Sequence, residues 1–142
     1  MTLEELLNLK ENQLISVKQS DEVILAIKNM VDCKVGSLLV MSDNGEFIGI
    51  LTERDVLRFS AERDGDLAGA RIEEMMTRDL MVATPDCSID QAMSMMTEHR
   101  FRHLPVMDAG KPIGMVSIGD LVKAKLKDVT VEVKYLRDYI SA

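Results

Sequence analysis

Residues 16–57 and 81–122 are two copies of one pattern, so this chain must fold as a pair of like supersecondary units. At an offset of 66, Val17, Ala26, Met30, Leu38, Val40 and Met41 fall on Ala83, Ala92, Met96, Leu104, Val106 and Met107. One residue is lost in the intervening turn. At an offset of 65, Ile48, Gly49, Leu51, Thr52, Asp55, Val56 and Leu57 then fall on Ile113, Gly114, Val116, Ser117, Asp120, Leu121 and Val122. The length change sits in a turn, where the chain tolerates insertion and deletion.

Hydropathy gives both copies the same element order. Ile15 to Val17 has strand character, and Ser20-Asp21-Glu22 opens a helix in which Val23, Ile24, Ile27, Met30 and Val31 predict one inward face. Ser37 to Met41 is an apolar run of strand length, Asp43-Asn44-Gly45 a turn that accepts positive φ, and Phe47 to Leu51 a second strand. A helix from Thr52 to Arg63 follows, with Val56, Leu57 and Phe59 as its apolar side. The second copy predicts a strand near Leu80 to Ala83 and a helix from Ser88 to His99, where Ser88 and Gln91 are spaced as a capping box. A hairpin across Asp108 to Lys111 and a helix beginning at Ser117 complete it.

Residues 3–11 have helical spacing and form a short lead-in, while Asp64, Gly65, Asp66 and Gly69 mark a linker that passes into a helical turn from Arg71 to Met76. The last helix runs through Asp128 or breaks there and resumes. Its residues Val129, Val133, Leu136 and Ile140 form an apolar stripe that needs cover from its own domain or from another subunit. The segments are therefore 10–63 for the first repeat, 64–76 for the linker, 77–128 for the second repeat and 129–142 for a C-terminal helix. One three-stranded sheet with two helices leaves an apolar face open, so the expected arrangement has the two copies packed face to face about a pseudo-two-fold axis.

Composition narrows the function classes. The 142 residues, 46% of them hydrophobic, supply a core of ordinary domain size. No apolar run approaches the roughly 20 residues that span a bilayer, and Glu4 and Glu5 do not suit a signal peptide, which points to a cytoplasmic protein. A net charge of −7 opposes broad contact with nucleic acid. Cys33 and Cys87 have no metal-ligand spacing and are too few for a disulfide framework, so both are read as reduced, partly buried residues. His99 and His103 are four apart, but His103 starts the strand at Leu104-Pro105-Val106, so no metal pair is expected. The eleven methionines suit adaptable core packing.

Two segments could carry chemistry, Gly49-Ile50-Leu51-Thr52-Glu53-Arg54-Asp55 and Gly114-Met115-Val116-Ser117-Ile118-Gly119-Asp120. In each, a strand ends at a hydroxyl residue that opens a helix, so the hydroxyl and the free N–H groups of the first turn leave the same sheet edge. Such a place suits a phosphate. The acid three residues on could accept hydrogen bonds from a vicinal diol. The same spacing is also that of a helix cap, worth about 1 kcal/mol without any ligand.

With GILTERDV and GMVSIGDL in order, and RFRHLPV between them, residues 10–126 resemble the cystathionine-β-synthase-type (CBS) domain pair, also called a Bateman module. The resemblance implies an α+β fold of two β-α-β-β-α repeats, with short N- and C-terminal helices and up to two clefts for adenosine-containing ligands. AMP is the foremost expectation, with ADP, ATP, NAD or S-adenosylmethionine as further ones, each a regulatory ligand and none a required cofactor. It also implies that the acid holds ribose hydroxyls while the hydroxyl residue helps hold phosphate. Carried over, one cleft uses Thr52, Arg54, Asp55, Thr77, Leu80 and Met81 with Arg100, Phe101, Arg102, His103, Leu104 and Pro105. The other uses Leu14, Ile15, Lys34, Val35, Gly36, Ser37, Leu38, Ser117 and Asp120.

The clefts are not expected to be equal. Arg54, Arg100, Arg102 and His103 give the first a basic lining for phosphate, whereas Gly119 stands for Arg54, and Gly36-Ser37 for Arg102-His103, in the second. The same basic residues also fit a solvated surface on an acidic chain. No Ser/His/acid or Cys/His set supports catalysis. The expectation is therefore a free-standing, non-catalytic nucleotide sensor, a homodimer acting on an unidentified protein target. An interaction module with inactive clefts is the alternative, and a nucleotide-processing enzyme a remote third.

Overall fold

The computed structural model describes residues 1–10 and 14–141, with the side chains at 129–132, 135, 139 and 141 outside the description. The predicted order appears as α1 (Leu3–Leu9), β1 (Ser16–Lys18), α2 (Val23–Cys33), β2 (Ser37–Met41), β3 (Phe47–Thr52) and α3 (Glu53–Glu62). A 3-10 turn at Ile72–Glu74 precedes α4 (Ile89–His99), β4 (His103–Asp108), β5 (Lys111–Ser117) and α5 (Ile118–Ser141). These elements gather into two units. One is continuous, residues 13–80; the other joins 1–12 to 81–142.

In the continuous unit the apolar run Leu38 to Val40 is buried on both faces because β2 is the middle strand, parallel to β1 and antiparallel to β3. Val17, Ala26, Met30, Leu38, Val40, Leu51 and Ile72 make its core. The counterparts of the first six, Ala83, Ala92, Met96, Leu104, Val106 and Val116, lie in the core of the discontinuous unit, whereas the duplicated pair Leu57 and Val122 is exposed in both. The hairpins match in register as well. Each is irregular at the same place, between Val40 and Met41 in one and between Val106 and Met107 in the other.

The copies differ at their first strand. The strand predicted near Leu80 to Ala83 is reduced to an isolated parallel bridge between Ala83 and Val106. Proline explains this. In the first copy the Leu39 N–H donates to the Ile15 carbonyl at 3.0 Å, but the residue equivalent to Leu39 is Pro105, which has no N–H to offer Met81. What remains is the Ala83 N–H on the Pro105 carbonyl (3.0 Å) and the Met107 N–H on the Ala83 carbonyl (2.8 Å).

Each unit is completed by the segment that precedes the other repeat. Helix α1, ahead of the first repeat, buries Leu3, Leu6 and Leu7 in the core of the second, where the Leu3 N–H reaches the Cys87 carbonyl at 2.8 Å. The stretch 64–76, ahead of the second repeat, does more than connect: it puts Ile72 into the core of the first. Two glycines admit these segments. A Cβ on Gly49 would stand 2.5 Å from the Thr77 carbonyl oxygen, and one on Gly114 would stand 2.6 Å from Leu7 Cδ2.

Two helical faces correct the expectation, and a third decides between the alternatives left open. In α2 the buried residues are Val23, Ala26 and Met30, whereas Ile24 and Val31 are 47% and 70% exposed. A rotation of about 100° per residue places them off the inward stripe. In α3 no residue is fully buried, and Leu57 lies open. Helix α5 runs through Asp128 without a break, leaving Leu126, Val133, Leu136 and Ile140 exposed. Val129, predicted for the same stripe, falls outside the described side chains.

Candidate functional site

Both strand-to-helix turns close as capping boxes. The Asp55 N–H donates to Thr52 Oγ1 at 3.2 Å and the Thr52 N–H to Asp55 Oδ2 at 3.0 Å. The Asp120 N–H donates to Ser117 Oγ at 3.1 Å and the Ser117 N–H to Asp120 Oδ2 at 2.9 Å. Sequence spacing offered a cap or a ligand site as alternatives; the cap is present in both copies, and it fixes the acid rather than consuming it. A carboxylate has about four acceptor directions, so one backbone N–H leaves room for other donors. The capping hydroxyls accept through oxygen and keep a proton to donate.

Beyond the cap the two acids diverge. Thr77 Oγ1 donates to Asp55, 3.0 Å from Oδ1 and 3.1 Å from Oδ2. Backbone bonds at 2.9 and 3.0 Å between Thr77 and Ile50 hold that hydroxyl in place beside the glycine gap at Gly49. In the discontinuous unit the corresponding partner is Lys10, at the end of α1. Its Nζ donates to the Met115 carbonyl at 3.1 Å and to Asp120 Oδ2 at 2.7 Å, an ion pair with side chains 37% and 28% exposed. Burial by itself pushes the Asp120 carboxyl up. The hydrogen bonds from Lys10 and the Ser117 backbone, together with the Lys10 charge, outweigh it and hold the carboxyl below the usual aspartate range.

Lys10 was not among the predicted site residues. Its counterpart at the repeat offset is Met76, so comparing the copies gave no sign of it. Only the packing of α1 on the other repeat brings it there.

The profile of the CBS domain matches residues 3–62 and 72–127, which takes in both copies. The chain belongs to the CBS-domain family. A CBS-domain protein of Burkholderia ambifaria is 41% identical with a TM-score of 0.83, over 90% of this chain and 96% of that one. The mitochondrial CBS domain-containing protein CBSX3 of Arabidopsis thaliana is 36% identical over 124 residues. That match takes in 84% of this chain and 60% of the relative, so the chain spans about three fifths of that protein's length. The CBS protein CBSX2, solved in complex with AMP, is 29% identical with a TM-score of 0.71, over 89% of this chain and 96% of that one.

Placed on the CBS repeats, the predicted residues group by unit. Thr52, Asp55 and Thr77 are joined by hydrogen bonds, with Arg54 exposed on the first turn of α3 and Leu80 half-buried at the end of the same unit. Leu14, Ile15 and residues 34–38 also belong to this unit, and Ser37 pairs with Thr52 across the hairpin. Gly36 offers its carbonyl to the Glu53 N–H at 3.0 Å. Met81, Arg100 to Pro105, Ser117 and Asp120 belong to the discontinuous unit, where His103 pairs with Ser117 and the Arg102 carbonyl accepts from the Ile118 N–H at 2.9 Å. Leu38 and Leu104 are wholly buried, which leaves their backbone as the part able to meet a ligand. Phe101 is half-buried, and Arg100, Arg102 and Lys34 are exposed.

Lys34 and Arg100 end the equivalent helices α2 and α4 in the left-handed region, at φ 56° and 60°. A residue with a Cβ costs about 1 kcal/mol there, so both CBS repeats accept strain where glycine would fit, and each keeps a cationic side chain at that corner. Burial, then the neighbouring Asp86, raises the Cys87 thiol above its ordinary value, which disfavours a reactive thiolate. Among the described residues no group of three or more His, Cys, Asp or Glu is placed to hold a metal ion, and no helix is long and apolar enough to cross a membrane.

Proposed function

We propose that this CBS pair is a non-catalytic regulatory module that binds adenine nucleotides, AMP foremost and ADP, ATP or NAD after it, and that it reports energy or cofactor status to a protein target. The observation that carries this reading is the duplicated acid, each copy held by a capping box at a strand-to-helix turn, in a family of which CBSX2 has been solved with AMP. On this reading Asp55 and Asp120 accept the ribose hydroxyls, and the hydroxyls of Thr52 and Ser117 donate to phosphate. Arg54, two residues after Thr52 on the first turn of α3, adds a cation for that phosphate where the other copy has Gly119, which makes the Asp55 motif the tighter one.

Signalling requires that the nucleotide bind one arrangement of the protein more tightly than another. Titration calorimetry with AMP, ADP, ATP, NAD and S-adenosylmethionine tests the reading; heats that saturate only above the millimolar range for every ligand would sink it.

A second reading, an interaction module without a working nucleotide site, is favoured by the exposed Leu126, Val133, Leu136 and Ile140 of α5. On this second reading a homodimer forms through this helix, whereas the nucleotide reading pairs whole modules face to face. Sedimentation of a Leu136→Glu variant tests the dimer, which should fall to the monomer mass. An Asp55→Ala/Asp120→Ala variant that keeps partner binding, in a protein whose melting temperature never responded to nucleotide, would favour the second reading alone.

A further inference from the structure

The nucleotide reading treats the two acids as equivalent ribose acceptors, and the structure gives them unlike partners. We propose that Lys10 sets the affinity of the Ser117 motif, because its ammonium is already bound to the carboxylate that a ribose diol would use. The inference rests on the nucleotide reading and deepens it.

The geometry supplies the argument. Lys10 Nζ and the Ser117 N–H both fall on Asp120 Oδ2, at 2.7 and 2.9 Å, and the Met115 carbonyl at 3.1 Å gives the ammonium a second anchor, on β5. A diol approaching this acid meets a cation that donates hydrogen bonds and accepts none. Its hydroxyls must displace Lys10 or accept a weaker, charge-depleted acceptor. Thr77 acts otherwise on Asp55, since a hydroxyl that donates to the acid can accept from the ligand in the same network. Both acids therefore carry an internal donor, but a neutral diol meets a hydroxyl that can also accept at Asp55 and a cation that only donates at Asp120.

The pair is suited to exchange rather than to permanent closure. Both side chains are partly solvated, and ion pairs of this kind are worth little beyond about a fivefold change in an equilibrium. A ligand can pull Lys10 away once nucleotide is abundant, so the chain fills its motifs in order, Asp55 first and Asp120 later.

The test uses the full chain with AMP. An Asp55→Asn variant isolates the Asp120 motif, and adding Lys10→Met should tighten its binding about fivefold, the worth of an ion pair of this kind. Adding Asp120→Asn should abolish that gain, and Lys10→Arg should keep the weak binding by restoring the cation. Carboxyl NMR of the ligand-free protein gives an independent readout: Asp120 should titrate higher in Lys10→Met than in the parent. If the parent binds AMP and Lys10→Met leaves the Asp120 motif unchanged or weaker, this proposal is overturned while the nucleotide reading stands. If no variant binds AMP, both fall together. An Asp120 titration unmoved by Lys10→Met would overturn the proposal whatever the binding data show.

Discussion

The Thr52 and Ser117 motifs share a strand, a capping hydroxyl and an acid, and they differ in what reaches the acid from the segment ahead of the other repeat. At Asp55 that segment arrives as backbone paired with Ile50, and a hydroxyl makes the contact. At Asp120 it arrives as the end of a helix, and a lysine makes it. Duplication preserved the part of the motif needed to start a helix. On the nucleotide reading, ligand preference is set by the lead-in segments, where the copies have diverged.

The largest expected effect separates the acids by ligand binding. Asp55→Ala should weaken AMP about tenfold or more, the worth of a charged hydrogen-bond acceptor, and Asp120→Ala should weaken it far less while Lys10 occupies that motif. Calorimetry checks both, and equal losses would break the comparison. Each substitution should also cost about 1 kcal/mol of stability through loss of its cap.

Next come the glycines that admit the lead-ins. Gly49→Ala should destabilise by about 2 kcal/mol, since its Cβ meets the rigid Thr77 carbonyl oxygen, and it should loosen Thr77 from Asp55. Gly114→Ala meets the movable end of Leu7 and should cost about 1 kcal/mol, both read by urea denaturation. A smaller and opposite effect is expected at the strained helix ends. Arg100→Gly should stabilise by about 0.5 kcal/mol while weakening phosphate binding, so melting temperature and affinity move in opposite directions.

The smallest effect concerns acid. The folded Asp120 has a lowered pKa, so its contribution is fully present above the ordinary aspartate value and is lost as pH falls through the depressed one. Lys10→Met should flatten that part of the stability profile, and a denaturation series toward low pH would show it. Replacing Pro105 with leucine, its counterpart's residue, should add a slowly exchanging amide at 105 and lengthen the bridge at Ala83 toward a strand.

Much of this fold was legible because the repeat sampled each element twice. The hairpins, the Ser88 cap and the core positions from Val17 to Leu51 follow from apolar spacing and turn chemistry, which are local. The strand at Leu80 to Ala83 failed for a local reason too, a missing N–H on Pro105, but one that acts on a neighbouring strand. Ile24, Val31 and Leu57 look like core by hydropathy and are exposed, because only packing decides which side of a helix faces inward. Of the candidate site, spacing gave Thr52, Asp55, Ser117 and Asp120. It could not give Lys10, which lies 110 residues from its partner and owes its place to the docking of α1.

That docking also bears on the order in which the chain can fold. The continuous unit, residues 13–80, has all its pieces once its last residues have been synthesised, and it can close while the remainder is still being made. The other unit has its first helix made early and its sheet made late, so α1 must wait with Leu3, Leu6 and Leu7 unburied until the second repeat emerges. Closing a loop of this length adds entropy cost only slowly with length, but it delays the contact. A ribosome-bound intermediate with one finished unit and an exposed leucine helix is therefore built into the topology, and deleting residues 1–10 should injure the half of the protein farthest from them in sequence.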